Sequence, residues 1–199
     1  MSYSLLDKMD QLTCNVLNKS EIRTSDLVDF LRTVQLTSSE IEALMSPDSM
    51  HPYGRKVLFN HPRLEVMVAT WTRGISCAPH DHHESRSAIR ILQGRSHHRM
   101  FQCREGELVE TLSERKEANT ILLCPPRQIH AMGDDGADNV LVTLHAYAGS
   151  IDNMVVYSET ETLIVSGSCG AWIPEAEDNI LGRIVGHVPR DEVGYSVGT

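Results

Sequence analysis

Aromatic residues are scarce in this chain, and several other features are missing from it. Phe, Trp and Tyr make up only 5% of the 199 residues, so a core must rest mainly on Leu, Ile, Val and Met, and the hydrophobic content of 41% is enough for one. No run approaches the roughly 20 apolar residues that a membrane span needs. The net charge of −9 argues against nucleic acid and anionic membranes as main partners. The length suits one domain, or one domain with an appendage.

The cysteines do not form a disulfide framework. They are five, an odd number, widely spaced and without a CxxC pair: Cys14, Cys77, Cys103, Cys124 and Cys169. The start of the chain, MSYSLLDKMDQLT, lacks the basic residues and the apolar block of a signal peptide. We therefore expect reduced thiols and a cytoplasmic location.

Short amphipathic helices are predicted between residues 4 and 45. Leu5, Met9, Leu12 and Val16 recur at helical spacing, and residues 37 to 40 have the spacing of a capping box. Such short helices are expected to pack on something larger, although a small partner-binding appendage has the same pattern. We assign residues 1–50 to a helical segment packed on the main body.

From residue 51 onward the pattern changes to short apolar runs with partial alternation. Turn signals separate the runs, among them Gln93-Gly94, Glu105-Gly106 and the GDDG cluster at 133–136, which we interpret as a hairpin. Many short strands at regular intervals predict a β-sandwich or barrel over residues 51–165. Residues 166–199 are assigned to an extension of the same domain that packs back in part.

A cluster of histidines marks the main candidate site. His80 and His82 flank Asp81, and residues i and i+2 of a strand face the same side. Two converging imidazoles suit a divalent metal such as iron, zinc or nickel. Taken alone, the HDH triplet fits a solvated turn equally well. Further histidines stand downstream at His130 and His145.

Three histidines from two adjoining strands would make a facial set with open positions for substrate and oxygen. That arrangement suits non-haem iron, although the better-known facial triad has a carboxylate in place of one histidine. A closed structural zinc site usually has four ligands with Cys among them, and no Cys here has that spacing. Cys77 is interpreted as a small core residue. His83, His97 and His98 are expected to face solvent or to lie behind the ligands.

The histidines lie in a pattern that resembles the two cupin motifs. Gly74 followed by the HDH triplet and then Gly94 is similar to the first motif, and Pro125 followed by His130 is similar to the second. Most cupins also carry a Glu ligand in the first motif, but Arg86 and Ser87 stand at the two positions where it occurs. The pattern therefore resembles the three-His cupins of the cysteine dioxygenase (thiol dioxygenase) family.

Other elements resemble the same family, over roughly residues 53 to 147. Tyr53-Gly54-Arg55 is similar to its YxR element, whose Arg binds the substrate carboxylate. Trp71 matches a family tryptophan near the metal, and ILQG at 91–94 resembles its LLQG turn. The segment TLHAY at 143–147 resembles its SxHxY segment, in which Ser, His and Tyr form a relay beside the iron.

Two departures from the family concern the neighbourhood of Tyr147. Mammalian members have at the position of Ser87 a Cys that is thioether-linked to the tyrosine, and a serine cannot form that link. After Tyr147 the family often has Ser-Pro, whereas this chain has Ala148-Gly149.

The resemblance implies a mainly β cupin barrel, jelly-roll-like, with N-terminal α-helices. It further implies Fe(II) held by three residues, substrate binding by two and catalysis by two: His80, His82 and His130, then Arg55 and Tyr53, then Tyr147 and His145. The implied reaction adds both atoms of O2 to a small thiol, with L-cysteine giving cysteine sulfinic acid. We expect no nucleic-acid or membrane partner.

Several alternatives to this function stay open at the level of sequence. The same chemistry on another thiol, such as 3-mercaptopropionate, is one; relatives specialised for that acid tend to carry Gln where Arg55 stands. A tailoring enzyme with another product is a second, and a non-catalytic cupin that binds a metal or small ligand is a third. A surface salt bridge is the ordinary alternative role for Arg55, and a core position is the ordinary one for Tyr147.

Overall fold

Three helices precede the strands in this computed structural model, which describes residues 5–149, 151, 153–158, 162–166, 171–172 and 184–187. They are α1 (Leu5–Leu17), α2 (Thr24–Thr33) and α3 (Ser38–Leu44). The predicted capping box opens α3. The Glu40 N–H donates to the Thr37 hydroxyl at 3.3 Å, and the Thr37 N–H donates to the Glu40 carboxylate at 2.8 Å.

Two antiparallel sheets make up the rest of the described chain. The first has five strands in the order β1-β2-β9-β4-β7, and the second has seven in the order β12-β11-β10-β3-β8-β5-β6. In chain order the strands are β1 (Tyr53–His61), β2 (Leu64–Trp71), β3 (His80–Asp81), β4 (Arg86–Gln93), β5 (Arg95–Arg104), β6 (Glu107–Glu117), β7 (Ile121–Cys124), β8 (Ile129–Asp134), β9 (Val142–Ala148), β10 (Asn153–Tyr157), β11 (Thr162–Ser166) and β12 (Ile184–His187).

The predicted fold class, a mainly β cupin with N-terminal helices, is confirmed. Residues of both sheets, such as Met67 and Ile89 from the first and Met132 and Phe101 from the second, share one buried cluster. Among the described residues no strand is common to the two sheets. The barrel is therefore two facing sheets around a shared core, with no closed ring of hydrogen bonds.

The strand β2 shows how the helices and the core are arranged around the first sheet. All eight of its residues are buried. Val66 and Val68 share a cluster with Leu27 and Leu31 of α2, whereas Met67 and Trp71 belong to the cluster between the sheets. Because alternate residues of a strand face opposite sides, a strand covered on both sides is mostly apolar, and in β2 the polar residues are Glu65 and Thr70.

Two turn predictions have different outcomes. The predicted turn at Gly94 is confirmed: Gly94 is the single residue between β4 and β5 and connects the first sheet to the second. Its φ is +77°, and a Cβ there would lie 2.8 Å from the Leu141 Cα, so the turn favours glycine. The hairpin interpretation of residues 133–136 is wrong. Strand β8 before this turn pairs with β3 and β5, whereas β9 after it pairs with β2 and β4. The turn therefore crosses between the sheets.

The division into segments 1–50, 51–165 and 166–199 stays a prediction. Most of the last segment lies outside the described residues. Within its described part, Ala171 and Trp172 contact the central core and Ile184–His187 forms β12. No helix in the described part of the chain is both long and apolar enough to span a bilayer.

Candidate metal centre and substrate cavity

The site is built where the second sheet brings its shortest strand against β8. Strand β3 has only two residues and pairs with β10 on one side and β8 on the other, with His80 directly opposite His130. Cross-strand neighbours have side chains on the same face. The two imidazoles therefore meet, although 50 residues separate them in the chain.

Three imidazoles converge at this point. The Nε2 atoms of His80 and His130 lie 3.1 Å apart, and the ring centre of His82 is 4.9 Å from that of His80 and 5.1 Å from that of His130. One ligand nitrogen from each of the three lies within 4.8 Å of the others, so the set could hold a metal ion. The structure thus brings together the three histidines that the sequence analysis singled out.

The donors fit a divalent transition metal. Burial lowers the pKa of His80 to about 4 and holds the pKa of His82 and of His130 well below the usual histidine range. All three rings are therefore neutral at pH 7 and keep a lone pair for a metal. A nitrogen separation of 3.1 Å is that of two imidazoles about 2.1 Å from one ion that meet there at nearly a right angle.

The other ring nitrogens fix which atom faces the metal position. His80 Nδ1 lies 3.0 Å from the Ala78 carbonyl oxygen, and His130 Nδ1 lies 3.1 Å from Cys124 Sγ. Burial raises the pKa of the Cys124 thiol to about 12, so the sulfur stays protonated and can accept a hydrogen bond. We assign the ring protons to these Nδ1 atoms, which leaves both Nε2 lone pairs directed to the centre.

Asp81 anchors the HDH triplet from behind. It is completely buried, and its carboxylate accepts hydrogen bonds from the Tyr157 hydroxyl and the His83 N–H, both at 2.8 Å. These bonds fix the backbone between the two histidines. His83 is exposed, as expected. The hydrogen bond between His97 Nε2 and the Ser113 hydroxyl is also exposed to solvent.

His98 was expected to face solvent or to lie behind the ligands, and it occupies a buried position next to His130. Only 3% of it is exposed, its ring centre is 5.9 Å from that of His130, and neither ring nitrogen has a hydrogen-bond partner among the described residues. It alternates with half-buried neighbours on β5, and its side of that strand faces inward. Cys77 is a buried core residue, as expected, and burial raises its pKa to about 12.

A cavity opens on the three histidines. It contains about 370 Å³ of space between atoms, a volume that includes the open space at its mouth. Its polar lining consists of the predicted residues, and its apolar lining is largely Met and Ile: Tyr53, Arg55, His80, His82, His130, His145 and Tyr147, with Met67, Trp71, Ile89, Met132, Ile151 and Met154.

A hydrogen-bonded chain runs along one wall of the cavity. The Trp71 indole N–H donates to Thr143 Oγ1 at 2.8 Å, which is 2.7 Å from His145 Nε2, and His145 Nδ1 is 2.9 Å from the Tyr147 hydroxyl. All four side chains are buried. Burial lowers the pKa of His145 to about 3 and raises that of Tyr147 well above 10, so both are neutral. The structure thus joins the predicted relay residues and adds Trp71.

Tyr53 and Ser87 are each adjacent to one end of this hydrogen-bonded chain, Tyr53 to Trp71 and Ser87 to Tyr147. The Tyr53 hydroxyl accepts the N–H of Ala171 at 2.8 Å, and its ring centre is 4.6 Å from that of Trp71. Ser87 is completely buried and lies directly opposite Tyr147 in the register of β4 and β9. A serine oxygen at this place forms no thioether with the tyrosine.

Arg55 reaches the cavity as part of an ion pair that the sequence did not predict. Its Nη2 lies 2.8 Å from the Glu65 carboxylate, and its Nε donates to Met67 Sδ at 3.1 Å. The pair is largely buried, with 16% of the Arg55 side chain and 8% of the Glu65 side chain exposed. A salt bridge was the ordinary alternative for Arg55, and here one is combined with a place on the cavity wall.

Glu65 and Cys124 are the site residues that the sequence analysis missed. A signal for Glu65 was present, because it is the one charged residue in the run LEVMVATW and shares the strand parity of Met67 and Trp71. For Cys124 no comparable signal exists. Its contact with His130 depends on the path of the loop between β7 and β8.

The fold and the site together define a cupin with a three-histidine centre under a small, partly polar cavity. A model of the family described as Cysteine dioxygenase type I matches residues 5–160 of the chain. The protein therefore belongs to the cysteine dioxygenase type I family and, in general terms, is a cupin thiol dioxygenase.

Solved structures that are similar to the chain include other cupins. A protein of Klebsiella pneumoniae described as having a double-stranded β-helix domain is 15% identical, with 63% of this chain and 98% of that chain covered and a TM-score of 0.48. KdgF from Halomonas sp. is 20% identical, with 50% and 83% covered and a TM-score of 0.39. The cupin domain of Schizosaccharomyces pombe Cnp3 is 13% identical, with 60% and 71% covered and a TM-score of 0.42.

Proposed function

We propose that the protein is an Fe(II)-dependent dioxygenase that oxidises L-cysteine with O2 to cysteine sulfinic acid. Both oxygen atoms of O2 end on the sulfur of the product, and the amino and carboxyl groups are unchanged. The observation that carries the proposal is the convergence of three buried neutral imidazoles on a cavity that also presents Arg55 and Tyr147.

His80, His82 and His130 are proposed to hold the Fe(II). Their low pKa values keep the lone pairs available through the neutral pH range. A bound Fe(II) would supply the redox chemistry that O2 requires and would lower the pKa of a thiol bound to it. Three protein ligands leave positions for substrate and O2.

Arg55 and Tyr53 are proposed to place the substrate. A guanidinium pairs with a carboxylate through parallel N–H donors, and a partly buried position strengthens that attraction. The Tyr53 ring packs on Trp71 and forms the wall behind Arg55. The Met, Ile and Trp side chains of the lining would exclude water from the thiol.

We propose that the Tyr147 hydroxyl is the proton donor to the reacting groups and that His145 orients it. Trp71 only donates, so its bond uses Thr143 Oγ1 as an acceptor and leaves the threonine hydrogen for His145 Nε2. His145 then carries its proton on Nδ1 and donates it to the tyrosine oxygen. In this arrangement the Tyr147 hydrogen points away from the relay. The Tyr147 and His82 ring centres are 5.2 Å apart, which places the phenol beside the metal position.

Oxygen uptake by the iron-loaded protein tests the proposed function. The protein is loaded with Fe(II) without air and then mixed with air and cysteine, 3-mercaptopropionate or cysteamine. We expect uptake of one O2 per thiol oxidised and a product 32 mass units heavier than the thiol. The absence of uptake above the buffer rate with all three thiols would contradict the proposal and favour a cupin that only binds a metal or ligand.

Replacement of Arg55 tests its role in binding the carboxylate. Arg55→Ala should raise KM for carboxylate-bearing thiols, but it also leaves Glu65 buried without its partner, at a cost of about 3–5 kcal/mol of stability. Arg55→Lys keeps the charge and loses the planar fork, and is the better variant. We expect it to raise KM for cysteine about 10-fold or more, because a charged hydrogen bond contributes about 1.5–3 kcal/mol. Steady-state kinetics with cysteamine, which has no carboxylate, are the control. An unchanged KM for cysteine would refute the role.

A further inference from the structure

Glu65 is a charged side chain that binds Arg55 of the cavity lining, and the proposed reaction gives it no role. We infer that Glu65 sets substrate specificity: by occupying Arg55 it weakens selection for a substrate carboxylate, so that the cavity also accepts amine-bearing thiols without a carboxylate, such as cysteamine. The inference rests on the proposed function.

Glu65 lies next to two polar residues of the cavity lining, Arg55 and Tyr147. It lies opposite Tyr147 in the register of β2 and β9, and it binds Arg55 from the adjoining strand β1. Its side chain is 8% exposed, so bulk water screens its charge little. The carboxylate is therefore a fixed negative charge beside the place where a substrate carboxylate would bind.

The ion pair changes what Arg55 can offer to a ligand. At least two of its N–H donors already have partners in the chain, one on Glu65 and one on Met67. A substrate carboxylate that approaches Arg55 is attracted by the guanidinium. It is also repelled by the Glu65 carboxylate, which lies 2.8 Å from Arg55 Nη2. The net gain is smaller than for an unpaired arginine. An ammonium or a neutral amine has no such penalty.

The charged side chains of the cavity lining support this specificity. Among the described side chains that line the cavity, Arg55 is the one Lys or Arg. A substrate carboxylate that binds a protein side chain by charge must therefore bind Arg55, and Glu65 already pairs with it.

Glu65→Gln tests the inference because it removes the charge and keeps the size of the side chain. We compare kcat/KM for cysteine, 3-mercaptopropionate and cysteamine in the wild type and the variant. The wild type should prefer cysteine over cysteamine by less than about 10-fold. In Glu65→Gln the preference should rise about 10-fold or more, through a lower KM for the two carboxylate-bearing thiols. An unchanged or reduced preference would overturn the inference.

Two further variants separate specificity from structural support. Glu65→Asp keeps the charge and should stay closer to the wild-type preference than Glu65→Gln does, even if both are less stable. Glu110→Gln removes a carboxylate that lies 3.9 Å from Arg99 and has a side chain 43% exposed, and it should leave the preference unchanged. If Glu65→Asp shifts the preference as far as Glu65→Gln does, the charge of Glu65 is not the cause.

Equilibrium binding keeps this test independent of turnover. The same three thiols are titrated calorimetrically into the Fe(II)-loaded proteins without O2. Tighter binding of cysteine and 3-mercaptopropionate to Glu65→Gln, with cysteamine unchanged, supports the inference even if the wild type oxidises no thiol. In that case the proposed function fails and the role of Glu65 in ligand selection stands. Equal affinities in wild type and variant overturn the role of Glu65 alone.

Discussion

His130→Ala should lose its iron, and with it all measurable thiol oxidation. The remaining His80 and His82 lie two residues apart on one edge of the site, and the opposite side of the centre would be empty. Because residues that merely orient a metal ligand already change affinity about 10–100-fold, we expect the loss of a ligand to weaken iron retention by more than about 100-fold. Metal analysis after gel filtration measures this as a fall from about one iron per chain to nearly none.

The controls for this prediction separate metal loss from misfolding. His130 is 1% exposed, so its truncation leaves a void in the core. His130→Gln fills more of that space, and circular dichroism reports whether either variant is folded. His97→Ala removes a half-buried histidine of β5 whose hydrogen bond to Ser113 is exposed, and this variant should bind iron like the wild type. A folded His130→Ala protein with stoichiometric iron would show that the assigned ligand set is wrong.

The metal-free protein should lose stability steeply as the pH falls from about 6.5 toward 5. In the folded state burial lowers the pKa of His80 to about 4 and of His145 to about 3, and holds those of His82 and His130 well below 6.5. In this pH range the unfolded chain binds more protons than the folded one. Stability from these groups is therefore complete above about pH 6.5 and is lost on acidification, by up to about 1.4 kcal/mol per pH unit for each proton.

Urea unfolding in the presence of a chelator measures this effect at pH 7.5, 6.5, 5.5 and 5. The carboxylates whose pKa values are lowered, such as Asp26 and Asp48, begin from a usual value of 3.8 and change stability mainly below this range. The variant His145→Gln has one buried histidine fewer and should show a shallower slope. A free energy of unfolding that stays constant between pH 7.5 and 5 would show that these rings are not held neutral.

The parts of the fold that follow from local pattern were predictable, and those that depend on partner choice were not. The capping box at Thr37 and the turn at Gly94 follow from residue types at fixed offsets. The turn residues at 133–136 show that the chain turns, but they carry no information on which strand pairs next. The crossing between sheets depends on the packing of β8 and β9 against strands distant in the sequence.

The site shows the same limit. The three histidines and Arg55 were identified because motifs that resemble a known family give their positions together. Neither the pairing of Arg55 with Glu65 nor the contact of His130 with Cys124 belongs to any such motif. Both depend on which side chains a particular register and loop bring together. The sequence left open whether His98 faces solvent or lies behind the ligands, because neighbouring residues on a strand face opposite sides and the packing of β5 decides which side is buried.

The two-residue strand β3 has a consequence for how the protein is assembled. Two candidate ligands are local in the chain, but the third is 50 residues from the first and joins them only when β8 pairs with β3. In the unfolded chain an ion finds only His80 and His82 close together. The ion therefore binds the folded state preferentially and stabilises it by an amount that depends on the free concentration of the ion. A metal ion held by these histidines would act as a removable cross-link between His80 and His130, which are 50 residues apart in the chain. The supply of that metal would then contribute to the folding free energy of the protein.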